Sequence, residues 1–354
     1  MNDTSRTSIR RSRHTLFIVV AVLVVANVLV FGSIALLTRG TPGNDGPLEF
    51  VSLNPTQGNT CAITADADLY CQDFPSSTEY DDFRPLKRVE ELSGVTAVSS
   101  NYQSACAVAN GSAYCWGNNK DGQLADGTTI RRDRPTQIPG LTRVTAIATG
   151  VDRTDEGPSS TCAVSNGAVY CWGGLGAYAL GISDKTHPVL IEGVSGVTDM
   201  SVDAHMGCAV AGGEAYCWGQ TFGSKNAERV PGTQGSELVR TNGYTACAIA
   251  SGRVRCWGHG SSGSIGDGSL SDRTYAADVT ALTGVTALST HYTVVCALSD
   301  GTPFCWGGDG PSTPSRVAVS ESASAISGPC MIIHGAVQCG QQPGDPHIRP
   351  LPIA

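Results

Sequence analysis

Residues 106–116 read CAVANGSAYCW and residues 162–172 read CAVSNGAVYCW. In both stretches two cysteines stand nine positions apart with Asn-Gly near the midpoint. A two-residue primed turn needs positive φ at both central residues, and Asn and Gly tolerate it, so each stretch predicts a tight β-hairpin. Counting outward from Asn110-Gly111 sets Ala109 opposite Ser112, Val108 opposite Ala113, Ala107 opposite Tyr114 and Cys106 opposite Cys115. Hydrogen-bonded and non-hydrogen-bonded pairs alternate in such a ladder. The count places the cysteines at a non-hydrogen-bonded site, where opposing side chains come closest. A cross-strand disulfide follows from the spacing.

The frame recurs along the chain. Its 14 cysteines fall into successive pairs: Cys61 and Cys71, Cys106 and Cys115, Cys162 and Cys171, Cys208 and Cys217, Cys247 and Cys256, Cys296 and Cys305, Cys330 and Cys339. The further turns are Gly212-Gly213, Ser251-Gly252, Asp300-Gly301 and His334-Gly335. The first pair is ten apart, and a three-residue loop, Ala65-Asp66-Ala67, restores the opposition. Each bridge would close a ring of about ten residues, for which the chain-entropy model gives roughly 2.5–3 kcal/mol. Zinc sites prefer closer pairs such as C-x₂-C that converge two by two, whereas here every pair is satisfied within its own hairpin. Reduced core cysteines are the alternative that a cytosolic chain would require.

Around each hairpin other elements repeat. Upstream lies a β-branched run such as Val95-Thr96-Ala97-Val98-Ser99 or Val144-Thr145-Ala146-Ile147-Ala148. Downstream come Trp-Gly, a polar loop and a strand often opened by Pro, as at Pro135 and Pro188. Residues 48–354 thus divide into seven four-strand units of about 44 residues, the size of a propeller blade. Cys106, Val108, Ala113 and Cys115 face one way, and Ala107, Ala109, Tyr114 and Trp116 the other, so both faces are apolar. Radial stacking supplies a neighbour for each face. Trp116, Trp172, Trp218, Trp257 and Trp306, all five tryptophans, share one repeat position and read as packing residues.

The run from Cys106-Ala107-Val108 through Tyr114-Cys115-Trp116-Gly117-Asn118-Asn119, with Gly122-Gln123-Leu124-Ala125-Asp126-Gly127 and Pro135, resembles the RCC1 repeat of the regulator-of-chromosome-condensation family. Cys256-Trp257-Gly258 with Gly263-Ser264-Ile265-Gly266-Asp267-Gly268 is a second copy, and Ala179-Leu180-Gly181 a partial one. The resemblance implies a seven-bladed β-propeller over residues 48–354. The chain departs from the family where the Gly-Gln-Leu-Gly loop is degraded, after Trp218 and Trp306, and where it is missing, after Cys71. The nuclear member exchanges guanine nucleotide on a small GTPase and binds chromatin, activities not carried over to an acidic, cysteine-paired chain. Cysteine-paired versions resemble bacterial cell-surface and secreted proteins, including a propeller that inhibits β-lactamases, which implies protein binding without chemistry.

At the amino terminus, residues 16–37 run without a charge and follow Arg6, Arg10, Arg11 and Arg13. As a helix of roughly 1.5 Å rise per residue they span about 33 Å, a bilayer core, and the arginine bias keeps the short tail in the cytoplasm. A cleaved signal peptide is the alternative, since Ser33-Ile34-Ala35 has the small-x-small form, although the apolar stretch exceeds the usual ~7–15 residues. The expected order is a cytoplasmic tail at 1–15, a transmembrane signal anchor at 16–37, a linker at 38–47 and the extracytoplasmic propeller. The whole chain has 23 basic and 31 acidic residues, a net charge of −8. Residues 1–39 hold five arginines and Asp3, which leaves 18 basic against 30 acidic, about −12, for residues 40–354. Such a surface repels phosphate backbones, so nucleic acid is not the expected partner, and an exported, disulfide-stapled chain is not expected to meet a small GTPase.

Catalytic motifs are missing from the sequence. The seven histidines, His14, His187, His205, His259, His291, His334 and His347, are scattered, without H-E-x-x-H or H-x-E. Residues 119–122 match part of a calcium loop but lack its acidic register. No cofactor or metal is expected. The loops opposite the tight turns are longer and carry Tyr102, His205, Tyr244, His291 and Tyr292, with an insertion holding Asp152, Arg153, Asp155 and Glu156. Aromatic loop residues are favoured recognition types. The expected class is all-β: a seven-bladed RCC1-like propeller behind one transmembrane helix, binding a protein or cell-envelope ligand. A secreted inhibitor-like propeller acting on an envelope enzyme and an envelope hydrolase with an unrecognised site are the alternatives.

Overall fold

The computed structural model describes residues 48–354 apart from 57–58, 75–83, 102, 152–158, 175–183, 204, 320, 341–342, 346 and 354. The anchor expected at 16–37, its flanking tail and linker, and the loop copy at 179–181 lie outside the described residues. Among the described residues no helix is long and apolar enough to cross a membrane.

The turn chemistry sets the architecture. Asn110, Asn166, Ser251, Asp300 and His334 take φ of 49–54°, and each is followed by a glycine at 71–76°. These paired positive angles define the primed turn whose twist suits a hairpin. In the first unit Ala67, at φ 63°, closes the longer loop. Every hairpin holds its predicted register, with Cys106 opposite Cys115 and Ala107 opposite Tyr114. All seven disulfides link partners within one hairpin, at Cα–Cα separations of 4.0–4.1 Å.

Each hairpin is flanked by an inner and an outer strand, which gives seven four-stranded sheets of consecutive strands. In blade 2 these are Val95–Ser100, Ser104–Ala109, Ser112–Gly117 and Arg132–Gln137. The inner strands of the other blades are Phe50–Thr56, Val144–Val151, Val197–Asp203, Ser236–Thr241, Val285–His291 and Ala325–Ser327.

The ring closes without strand exchange, by repeating one bond. In blades 2 to 6 the amide that opens the inner strand donates to the turn carbonyl of the preceding blade, Val95 to Ala67, Val144 to Gly111, Val197 to Gly167, Ser236 to Gly213 and Val285 to Gly252, and in blade 7 Ala323, two residues before the inner strand, donates to Gly301. The seventh bond, from Phe50 N–H to Gly335 O at 2.8 Å, joins the first blade to the last. At the outer edge Leu86 N–H donates to Pro352 O, as Ala227 does to Glu192 and Ala276 to Pro231 at ordinary junctions. Closure is thus an ordinary blade interface.

Inner strands would otherwise present unpaired edges. The residue opposite the first cysteine of a blade solves this where it has an acceptor oxygen. Asn54 Oδ1 accepts from Ser100 N–H, Ser99 Oγ from Thr149, Ser201 Oγ from Thr241 and Ser289 Oγ from Gly328, at 2.6–3.1 Å. Three positions break the pattern, for chemical reasons. Ala148 has no oxygen, Arg240 offers only donors, and opposite Ser327 the equivalent position of blade 1 is Pro55, which has no N–H.

The tryptophans pack between blades. Trp172 lies among Cys106, Val108, Leu124 and Ile138 of blade 2, and Trp306 among Cys247, Ile249, Ile265 and Val279 of blade 5. Their indole N–H groups donate to Gln123 O and Ser264 O at 2.9 and 3.0 Å. The glycine after each tryptophan is also required: a Cβ at Gly117 or Gly258 would stand 2.3 or 2.2 Å from a backbone oxygen of its own blade. The polar loops of blades 2 and 5 are tied by ion pairs, Asp126 to Arg132 and Asp267 to Arg273, both at 2.6 Å.

Candidate functional site

In each blade the inner strand enters at the face of tight turns and leaves at the opposite face, where the longer loops collect. The seven inner strands enclose a central channel of about 460 Å³. Its lining is mostly small and hydroxylic, including Ser99, Thr149, Ser201, Ser289 and Ser327, and several of these hydroxyls already bond to neighbouring backbones. Among the described lining residues the charged groups are Asp203 and Arg240, and one histidine, His291, stands with them. The Arg240 guanidinium is held by Asp199 Oδ2 at 2.9 Å.

The recognition residues expected from the sequence lie where inner strands leave the channel. Counting from the residue opposite the first cysteine, His205 and Tyr244 occupy the same loop position in blades 4 and 5, and Tyr292 precedes it by one in blade 6. The Tyr244 loop is built by Asn242, whose buried side-chain oxygen accepts from the amides of Tyr244 and Thr245 at 3.1 and 2.8 Å. This self-bonded turn fixes where the ring points. Asn101 does the same in blade 2, accepting from Gln103 and Ser104.

The structure brings the rings together in two groups. His205 and Tyr244 meet across the junction of blades 4 and 5, with centroids 5.0 Å apart, and Tyr244 meets His259 edge to face at 5.7 Å. His291 and Tyr292 form a perpendicular pair at 4.5 Å in blade 6. Tyr244 is 46% exposed. Tyr292 takes φ 52°, a conformation uncommon for a bulky residue. Tyr102 and the acidic insertion at 152–156 lie outside the described residues.

Sequence reasoning missed His259 as a rim residue. It follows Trp257-Gly258 where blade 2 has Asn118, and in blade 2 the Asn118 amide bonds to Gln103 Oε1 at 2.8 Å. The same pair of repeat positions carries Tyr244 and His259 in blade 5, so comparing blades column by column exposes an exchange of a polar pair for an aromatic one. Among the described residues no group of three or more His, Cys, Asp or Glu could hold a metal.

The comparisons with known proteins agree with this architecture. The family model of the regulator of chromosome condensation (RCC1) repeat matches residues 110–154. No curated protein sequence matches the chain. Among solved structures the fold is similar to human WBSCR16, at 18% identity and a TM-score of 0.59, covering 70% of this chain and 72% of that one. It is similar to Prp20p from Saccharomyces cerevisiae at 12% identity and a TM-score of 0.63, covering 78% and 80%. A third likeness, at 13% identity and 0.63, is to yeast RCC1 (Prp20) bound to Kap60, covering 83% of this chain and 78% of that one. Prp20p is described there through its binding to Gsp1p and histones. The chain carries an RCC1 repeat, folds as a seven-bladed propeller of that type and holds one disulfide in every blade.

Proposed function

We propose that this RCC1-type propeller is a binding module held outside the cytoplasm by the apolar segment at residues 16–37, and that it recognises a protein or cell-envelope ligand without catalysis. The observation that carries the reading is the ring cluster His205, Tyr244 and His259, set by a self-bonded turn on the face where the channel opens. Rigid aromatic rings give contact area at small entropic cost, which makes them favoured anchors. Seven disulfides suit an oxidising compartment, and the four arginines before the apolar segment favour a cytoplasmic tail. The acidic surface favours a basic or neutral ligand. The hydrolase alternative has weaker support, because converging acid and base groups are what it needs and Asp203 stands alone among carboxylates in the described channel lining.

The test uses intact cells and a membrane-impermeant crosslinker. Adducts to the propeller should form, and Tyr244→Ala should abolish them while leaving the amount of folded protein unchanged. Adduct formation that ignores Tyr244, or a propeller reached only after lysis, would overturn the proposal.

A further inference from the structure

Arg131 of blade 2 reaches across the junction with blade 1 and sets its guanidinium over the Phe74 ring, 5.8 Å from the centroid. It stands five residues after Asp126 and one before Arg132, the two ends of the ion pair that ties its loop. Asp267 and Arg273 form the same pair in blade 5, so the counterpart of Arg131 there is Asp272. The junctions are otherwise alike, since Phe222 of blade 4 packs beside Trp257 as Phe74 of blade 1 does beside Trp116. Between blades 4 and 5 the chain has therefore gathered further rings and exchanged the cation for a carboxylate.

These rings stay open to solvent. Tyr244 is 46% exposed, and the side chains of His259 and Asp272 are 53% and 64% exposed. His205 is inclined at 45° to Tyr244 and His259 at 82°, so the three rings make a corner and not a stack. Asp272 stands on the His259 side of this corner. Its Oδ1 accepts from Gly260 N–H at 2.9 Å, which holds the carboxylate in place, while Oδ2 lies 3.8 Å from His259 Nδ1, beyond hydrogen-bond distance. Among the described residues no Lys or Arg pairs with Asp272.

We infer that the corner formed by His205, Tyr244 and His259 takes the guanidinium of an arginine on a partner protein. A cation within about 6 Å of a ring centroid is attracted by the ring quadrupole, and guanidinium planes also stack on aromatic faces. Blade 2 makes that contact with a residue of its own. At the junction of blades 4 and 5 the cation has to come from outside, and both the adjacent carboxylate and the net charge of about −12 on residues 40–354 attract it. The inference rests on the binding-module reading for the source of the cation, and adds to it the chemistry of the anchor.

The test titrates the full-length protein with the capped tripeptide Gly-Arg-Gly, with its neutral isostere Gly-citrulline-Gly as the control and spermidine as a further arm. The arginine peptide should bind at least about fivefold more tightly than the citrulline peptide and shift the ring resonances of Tyr244. Asp272→Asn, which keeps an acceptor for Gly260, should cut that preference about threefold. Asp272→Arg, which sets the chain's own guanidinium beside the rings as in blade 2, should abolish it, and both variants should melt close to the unaltered protein. Equal binding of the two peptides, or a preference that survives Asp272→Arg, would overturn the inference. Spermidine binding about tenfold more tightly than the arginine peptide would overturn the partner-protein source and assign a site for small free cations. Crosslinking that depends on Tyr244 in a protein without the arginine preference would remove the cation while sparing the binding module, and the preference in a protein whose crosslinking ignores Tyr244 would do the reverse.

Discussion

Replacing Trp172 by Ala tests whether the tryptophans hold the blades together. The side chain is fully buried among Cys106, Val108, Leu124 and Ile138, all of the preceding blade. Burying a side chain of this size removes about 200 Å² from water, which at about 25 cal/mol per Å² comes to about 5 kcal/mol. Alanine keeps little of that area, and truncations of this kind in packed cores cost about 3–5 kcal/mol. The indole N–H also donates to Gln123 O, which would retain its bond from Thr161 Oγ1 at 3.1 Å, so about 1 kcal/mol more is at stake. The expected loss is about 4–6 kcal/mol. Trp172→Phe keeps most of the packing and loses the bond, for about 1–3 kcal/mol. Urea unfolding of the full-length protein, followed by far-ultraviolet circular dichroism, measures both. A loss below about 1 kcal/mol for Trp172→Ala, or equal losses for the two variants, would refute inter-blade packing as the role of this position.

Other outcomes follow from the same structure. Changing Cys106 to Ala and Cys115 to Val together should lower stability by at most a few kcal/mol and leave the propeller folded, because the ring they close is small; near-ultraviolet dichroism would expose a collapse. The Asp126 and Asp267 carboxyls are pushed up by burial, but hydrogen bonds from Thr128 and Ser269 and the adjacent Arg132 and Arg273 outweigh this and hold both below 3.8. Their stabilisation is therefore complete above the unfolded value and is lost as pH falls below about 4, so Asp126→Asn with Asp267→Asn should flatten the acid limb of a stability profile. Deleting residues 351–354 removes buried Leu351 and the carbonyl of Pro352 that accepts from Leu86, and should lower the melting temperature of the closure between blades 7 and 1. Tyr244→Ala with Tyr292→Ala should weaken ligand capture at least about tenfold, on the order of 1.4 kcal/mol, and leave the melting temperature nearly unchanged.

The fold was legible because its rule is local. Asn110-Gly111 and its counterparts require positive φ, the turn sets the register, and the register places each pair of cysteines opposite one another. None of those steps depends on distant contacts. The closure was not legible, because Phe50 bonding to Gly335 and Leu86 to Pro352 spans almost the whole propeller and repeats a contact with no side-chain signature. At the rim, Tyr244, His205, His291 and Tyr292 could be proposed from loop position, but their grouping could not. Tyr244 meets His205 because successive blades place equivalent loops side by side, and it meets His259 because the third strand of its own blade ends beneath it. At the junction of blades 6 and 7 the sequence writes Gly340 in place of Trp and Met331 in place of the alanine that follows the first cysteine of the other blades, and only the structure shows Met331 packed against the disulfide face that an indole covers elsewhere.

The most direct test of the central claim is site-specific photo-crosslinking on intact cells, with a photoreactive phenylalanine placed at Tyr244, at Thr293 beside the blade 6 rim, or at Tyr275. Tyr275 is a control of similar chemistry, 54% exposed on the outer strand Arg273–Asp278. A binding module that works through the loop face predicts one discrete adduct from Tyr244 and Thr293 and none from Tyr275. The same adduct from Tyr275, or none from either rim position, would contradict the account.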